Sequence, residues 1–90
     1  MKKQVHAYYT GRVQGVGFRF TAESVANSLA LTGYVKNLPD ARVEVLAEAE
    51  ENTLKEFLEK MEKIFSRYIE EIDISWSEPS GKFKDFGIEF

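Results

Sequence analysis

Gly15, Gly17 and Arg19 recur at every second position in a Gly-Arg-Val-Gln-Gly-Val-Gly-Phe-Arg run from Gly11 to Arg19. Glycine lets successive backbone N–H groups turn into one concavity with no side chain in the way. Arginine adds a planar, permanently charged fork that meets oxyanions two oxygens at a time. Together they suit a small tetrahedral anion. The same residues also fit a plain strand-to-helix bend with Arg19 in solvent, because glycine is the default bend residue. The familiar nucleotide motifs do not fit. There is no Gly-Lys-Ser/Thr, and Gly15-Val16-Gly17 lacks the third glycine of the dinucleotide fingerprint.

An alternating strand must lead into this run. Val5, Ala7, Tyr9, Gly11 and Val13 alternate with His6, Tyr8, Thr10 and Arg12. After the run, Thr21 reads as the N-cap of a helix through Leu31. Ala22, Val25, Ala26 and Leu29 form its apolar stripe, and Glu23 falls in its first turn. Tyr34–Asn37 and Arg42–Ala47 read as a hairpin around Leu38-Pro39-Asp40-Ala41, with Val43, Val45 and Ala47 facing the core. Thr53 and Glu56 have capping-box spacing before a second helix with the stripe Leu54, Phe57, Leu58, Met61, Ile64 and Phe65. Glu56/Lys60 and Glu59/Lys63 are i,i+4 pairs on its wet face. Ile72, Ile74 and Trp76 alternate along a fourth strand, stopped by Pro79-Ser80-Gly81, and Phe86, Ile88 and Phe90 along a short fifth. The order βαββαβ predicts an α+β, ferredoxin-like sandwich: an antiparallel sheet, two helices on one face, and a short extra C-terminal strand. Such a fold carries many unrelated functions.

The 90 residues suit one domain, spanning 1–90, with no linker, repeat or low-complexity tract. The chain has no cysteine, which excludes disulfides and thiolate chemistry. No stretch reaches membrane-spanning length and no secretory leader precedes the first strand, so a cytoplasmic location and no membrane partner are expected. The net charge of −3 argues against a general nucleic-acid binder. Residues 1–22 hold Lys2, Lys3, Arg12 and Arg19 and no acid, which leaves the rest of the chain at −7. The anion loop therefore lies in the one basic stretch.

A second segment, residues 33–44, reads Gly-Tyr-Val-Lys-Asn-Leu-Pro-Asp-Ala-Arg-Val-Glu. With Val-Gln-Gly-Val-Gly-Phe-Arg upstream, the chain resembles the acylphosphatase family over nearly its whole length, through the final Phe86-Gly87-Ile88-Glu89-Phe90. The resemblance implies the same βαββαβ fold. It also implies a small stand-alone enzyme that hydrolyses the carboxyl–phosphate bond of acyl phosphates without a metal or cofactor. In that family the motif arginine binds phosphate and the motif asparagine orients water. Those positions here are Arg19 and Asn37, with Gln14, Gly15, Val16, Gly17, Phe18 and Arg19 as the phosphate-binding loop. Inorganic phosphate would be product and inhibitor, and the chain would act as a monomer.

The remaining residues are consistent with this. His6 is the only histidine and reads as a surface or half-buried imidazole without a role. No Ser or Cys accompanies it as a nucleophile, and no cluster of metal ligands is evident. The glutamates from Glu44 to Glu78 read as a solvated acidic surface. Neither Arg19 nor Asn37 is an ordinary general base, which suits an already reactive mixed anhydride that needs orientation and charge stabilisation. Without the resemblance, Asn37 before Leu38-Pro39-Asp40 is simply a turn residue.

Lesser expectations concern the neighbours. Arg12 faces solvent, Gln14 pins the loop by hydrogen bonds, Phe18 and Phe20 are core anchors, and Tyr34 packs near the site. Two departures from the family pattern, Ala41 where glycine is common and Ala49-Glu50 after the third strand, are expected to alter turns only. One alternative is a non-catalytic anion-binding regulatory module, a form in which such domains serve larger carbamoyl-phosphate-handling proteins. Another is an RNA-binding domain of the same element order, which the acidic chain and the missing Lys/Arg-Gly-aromatic motif disfavour.

Overall fold

In the computed structural model, which describes residues Met1 to Phe90, the alternating strands resolve into a dry face and a wet face. β1 (Lys2–Gly11) turns Val5, Ala7 and Tyr9 fully inward and leaves His6 and Tyr8 half-exposed on the other side. β2 (Thr32–Asn37) buries Val35, and β3 (Val43–Glu50) buries Val43, Val45 and Ala47. The remaining elements are α1 (Phe18–Ser28), α2 (Glu51–Ile64), β4 (Ile69–Ser77) and β5 (Phe86–Glu89).

The strands form one sheet in the order β4-β1-β3-β2-β5. All neighbours are antiparallel except β5, which runs parallel to β2 and sets Ile88 opposite Val35. The architecture is thus the expected α+β, ferredoxin-like βαββαβ sandwich, and its C-terminal strand makes the sheet mixed. Both helices lay their apolar stripes on the dry face. Ala22 and Ala26 of α1 and Leu54, Phe57 and Met61 of α2 join the strand residues in one core cluster. Phe18 bridges the layers, with ring centroids 4.8 Å from both Tyr9 and Phe65.

The helix ends differ from the sequence reading. α1 begins at Phe18, three residues before Thr21, and its N-cap is Gly17 in the left-handed region at φ 83°. Thr21 lies inside the first turn, where its N–H donates to the Gly17 carbonyl at 3.0 Å, and Glu23 falls beyond that turn. The helix closes earlier than Leu31. Leu31 N–H donates to the Ala26 carbonyl at 2.9 Å and Ala30 N–H to that of Asn27 at 3.2 Å. That pair of bonds is a Schellman closure. Its left-handed position is Ala30, at φ 57°, where glycine is usual.

Similarly, α2 starts at Glu51, ahead of the Thr53 capping box, because β3 runs straight into it with Glu50 as an extended N-cap that makes no side-chain cap bond. This direct junction is what Ala49-Glu50 accommodates. Glu51 and Lys55 pair at 3.0 Å and Glu56 and Lys60 at 3.5 Å along its wet face. At the far end of its stripe Ile64 is exposed. Ile74 and Trp76 are also exposed, because β4 is an edge strand that the helices cover only in part, near Ile72.

One acid departs from the expected solvated surface. Glu48 is buried and accepts hydrogen bonds from the Ser80 N–H and Oγ, both at 2.7 Å, from Gly81 N–H at 3.0 Å and from Gln4 Nε2 at 2.6 Å. It anchors the β4–β5 connection to the sheet. Burial alone would push its carboxyl up, but the Ser80, Gln4 and Gly81 donors outweigh that and hold its pKa at about 2. No helix is long and apolar enough to cross a membrane.

Candidate active site

The loop between β1 and α1 carries two left-handed glycines, Gly15 at φ 79° and Gly17 at φ 83°. A Cβ at either would meet nothing, so their role is conformational rather than steric. A side chain at such φ values would be strained, which explains glycine at both positions. The N–H groups of Gly15 through Phe20 donate to no backbone carbonyl, since the first helical bond begins at Thr21. A capping side chain would have consumed some of them, and none does. These donors are held at the positive end of α1.

Gly15, Gly17, Phe18 and Arg19 line a cavity of about 180 Å³ together with Val13, Phe20, Asn37, Ile88 and Phe90. Arg19 forms no ion pair with any carboxylate. Its guanidinium carbon lies 5.2 Å from the Phe90 ring centroid, within cation–π range. Asn37 joins them as the last residue of β2. Its Oδ1 is buried and accepts no hydrogen bond within the protein. A buried acceptor without a partner is costly, and such groups concentrate where a function uses them.

The structure therefore brings Gly15, Gly17, Phe18, Arg19 and Asn37 to one cavity. The side chains of the other two loop residues make contacts outside it. The Gln14 amide donates to the carbonyls of Leu38 and Arg42, each at 2.9 Å, and so pins the loop to the β2–β3 turn. Val16 packs against the core. Phe18 is the expected anchor at 2% exposure, whereas Phe20 is 73% exposed and stands on the cavity wall. Phe20, Ile88 and Phe90 also line this cavity, where the sequence reading placed them in core or strand. Tyr34 lies away from the cavity on the wet face, its hydroxyl donating to Glu44 Oε2 at 3.1 Å. His6 Nε2 lies 2.6 Å from the same carboxylate oxygen, and Arg12 faces solvent.

The β2–β3 turn that follows Asn37 is tight. Leu38 N–H donates to the Arg42 carbonyl at 2.8 Å and Ala41 N–H to that of Leu38 at 3.2 Å. Ala41 keeps φ at 77°, so this turn retains the left-handed conformation despite carrying a Cβ. At the base of the same hairpin Gly33 has φ 137°, and a Cβ there would collide with the Leu46 carbonyl. No three His, Cys, Asp or Glu side chains gather as a metal site would require.

Comparison with known proteins agrees with this geometry. The acylphosphatase family model matches residues 5–88. An acylphosphatase of Caldanaerobacter subterraneus subsp. tengcongensis is 43% identical over 90 residues, covering 98% of this chain and 99% of that protein. The crystal structure of an acylphosphatase from Bacillus subtilis superposes with a TM-score of 0.90 at 38% identity, over 98% of this chain and 99% of that one. A full-length HypF structure in a phosphate- and nucleotide-bound form matches all of this chain with 12% of its own length, at a TM-score of 0.87 and 26% identity. Matched in this way from β1 to β5, in sequence and in fold, the chain belongs to the acylphosphatase family.

Proposed function

We propose that this protein hydrolyses acyl phosphates to a carboxylate and inorganic phosphate, with no metal or cofactor. The observation that carries the reading is the cavity shared by the unpaired Arg19, the left-handed glycines and the unpartnered Asn37 Oδ1. The N–H groups of residues 15–19 and the Arg19 guanidinium bind the phosphoryl oxygens and stabilise the charge they carry in the transition state. The Asn37 amide oxygen accepts a hydrogen bond from the attacking water and orients its lone pair toward phosphorus. A neutral amide does this beside a phosphate dianion, where a carboxylate would be repelled. Water adds to phosphorus in line as the bond to the acyl oxygen breaks, and the carboxylate leaves with the bonding electron pair. The water's proton passes to solvent or to phosphate.

A binding module without turnover would need the arginine and the loop but no water-orienting group. Asn37 on the cavity wall favours the enzyme. Hydrolysis of benzoyl phosphate by the purified protein, with and without EDTA and added inorganic phosphate, is the direct test. Turnover that ignores EDTA and is competitively inhibited by phosphate is the expected result. Phosphate binding without turnover would reduce the protein to an anion-binding module.

A further inference from the structure

The last rung of the sheet before the cavity joins Tyr9, Val43 and Asn37, through the pairs Tyr9–Val43 and Asn37–Val43. Beyond it the chain divides, β1 leading toward the glycine loop and β2 into the turn after Asn37. Terminal rungs are where strands fray. An amide that orients water must nevertheless keep one direction. Directly behind this rung, on the wet face, stands Glu44, paired with Tyr8 on one side and Lys36 on the other. Its largely buried side chain gathers partners from both neighbouring strands on one oxygen, Oε2. From β2 the Tyr34 hydroxyl donates at 3.1 Å, and from β1 the Tyr8 hydroxyl donates at 3.4 Å. His6 Nε2, also on β1, lies 2.6 Å away. The Arg42 guanidinium carbon lies 4.7 Å from the Tyr8 ring centroid, within cation–π range. Arg42 closes the turn after Asn37, its carbonyl accepting the Leu38 N–H, so the cluster reaches that turn as well.

We infer that Glu44 is a positioning residue for the reaction: by cross-linking β1, β3 and β2 one rung behind Asn37, it holds the end of β2 so that the Asn37 amide keeps its aim. The inference rests on the proposed acyl phosphate hydrolysis and deepens it. Glu44 lies outside the cavity and touches no substrate, so it acts only through Asn37. Its effect falls on the reaction step. The groups that bind phosphate, the loop N–H groups and Arg19, belong to the β1–α1 loop and α1 rather than to the end of β2. Loss of the cross-link therefore lowers kcat and leaves phosphate affinity in place.

The experiment measures benzoyl phosphate hydrolysis, and its inhibition by inorganic phosphate, in the wild type, Glu44→Ala, Glu44→Gln, Asn37→Ala and the Asn37→Ala/Glu44→Ala double variant. Circular dichroism gives the folded fraction, so that kcat is expressed per folded molecule. Glu44→Ala should lower kcat about tenfold while the phosphate inhibition constant stays within about twofold. Glu44→Gln keeps an acceptor oxygen for the tyrosine hydroxyls and should retain kcat within about threefold. With Asn37 already replaced, Glu44→Ala should cost less than about twofold more, because its effect passes through the missing amide. A cluster that only stabilises the fold would lower Tm and leave kcat per folded molecule unchanged, and that result would overturn the inference. An undiminished loss in the Asn37→Ala background, or a parallel loss of phosphate affinity, would overturn it too while leaving the hydrolase reading intact. Failure of the wild type to hydrolyse benzoyl phosphate would overturn the hydrolase reading and the positioning role with it.

Discussion

Gln14 and Leu38 are joined by a 2.9 Å hydrogen bond from the Gln14 amide to the Leu38 carbonyl, and a second bond of the same length reaches Arg42. Gln14 opens the glycine loop and Leu38 immediately follows Asn37, so one side chain ties the proposed anion loop to the strand end that carries Asn37. Gln14→Ala should lose about 1 kcal/mol of stability, because the Leu38 and Arg42 carbonyls each lose one of two donors. It should also lower turnover about tenfold through misalignment. Chemical denaturation and benzoyl phosphate kinetics on the same preparation measure both.

Arg19 and Asn37 should separate by function. Arg19→Ala should weaken phosphate inhibition and reduce kcat/KM by about 100-fold to 1,000-fold, the usual effect of removing a transition-state charge partner. Asn37→Ala should keep phosphate affinity within about threefold while losing turnover about 100-fold, because orientation contributes only to the reaction step. Phosphate inhibition constants measured with the kinetics distinguish the two. Full activity in Asn37→Ala would remove the water-orienting role.

Ala30 and Ala41 occupy left-handed backbone at φ 57° and 77°. An L-residue there costs about 1 kcal/mol relative to glycine. Glycine in turn loses more freedom on folding, which offsets part of that gain. Ala30→Gly and Ala41→Gly should each raise stability by up to about 1 kcal/mol, read as an increase in Tm. Neither lines the cavity, so the kinetics should not move.

Glu48 makes stability depend on acid pH. Its carboxyl is held at about 2 in the fold, below its ordinary value of 4.5. Above pH 4.5 it is ionised folded or unfolded, and its contribution is complete. As pH falls through 4.5 toward 2, the unfolded chain takes up the proton first and the contribution is lost. Wild type should therefore lose stability across that window more steeply than Glu48→Gln. At neutral pH Glu48→Gln should already be weaker by about 1–2 kcal/mol. Thermal melts from pH 2 to 7 check both the slope and the offset.

What the sequence revealed, and what it hid, follows from which signals side chains carry. Period-two alternation located Val5, Ala7 and Tyr9, and the apolar stripe of α2 located Leu54, Phe57 and Met61, because burial on one face leaves a periodic trace. The start of α1 left none. Its cap is a glycine backbone and its first N–H groups are unused, so the nearest residue with capping chemistry, Thr21, marked the wrong place. Phe20 was hidden for the opposite reason, since an apolar side chain signals burial whether it enters a core or a binding wall. Glu48 looked like any strand acid, and its donors Ser80 and Gly81 lie more than thirty residues away. The direction of β5 depends on its partner β2, which local pattern does not name.

The interior place of β1, between β4 and β3, governs how the chain reaches its fold. Val5 pairs with Ala47 on one side and Trp76 on the other, partners roughly forty and seventy residues downstream. Few contacts of this strand are local, so loop closure must precede most of the gain from burying it. Refolding on the slower, millisecond-to-second side of the range for small domains follows from that topology. During synthesis β1 emerges before either partner, and β4 follows well after β3. In that interval the strand's apolar side chains are exposed to any neighbouring chain, and its unfilled edge is where misassembly would begin.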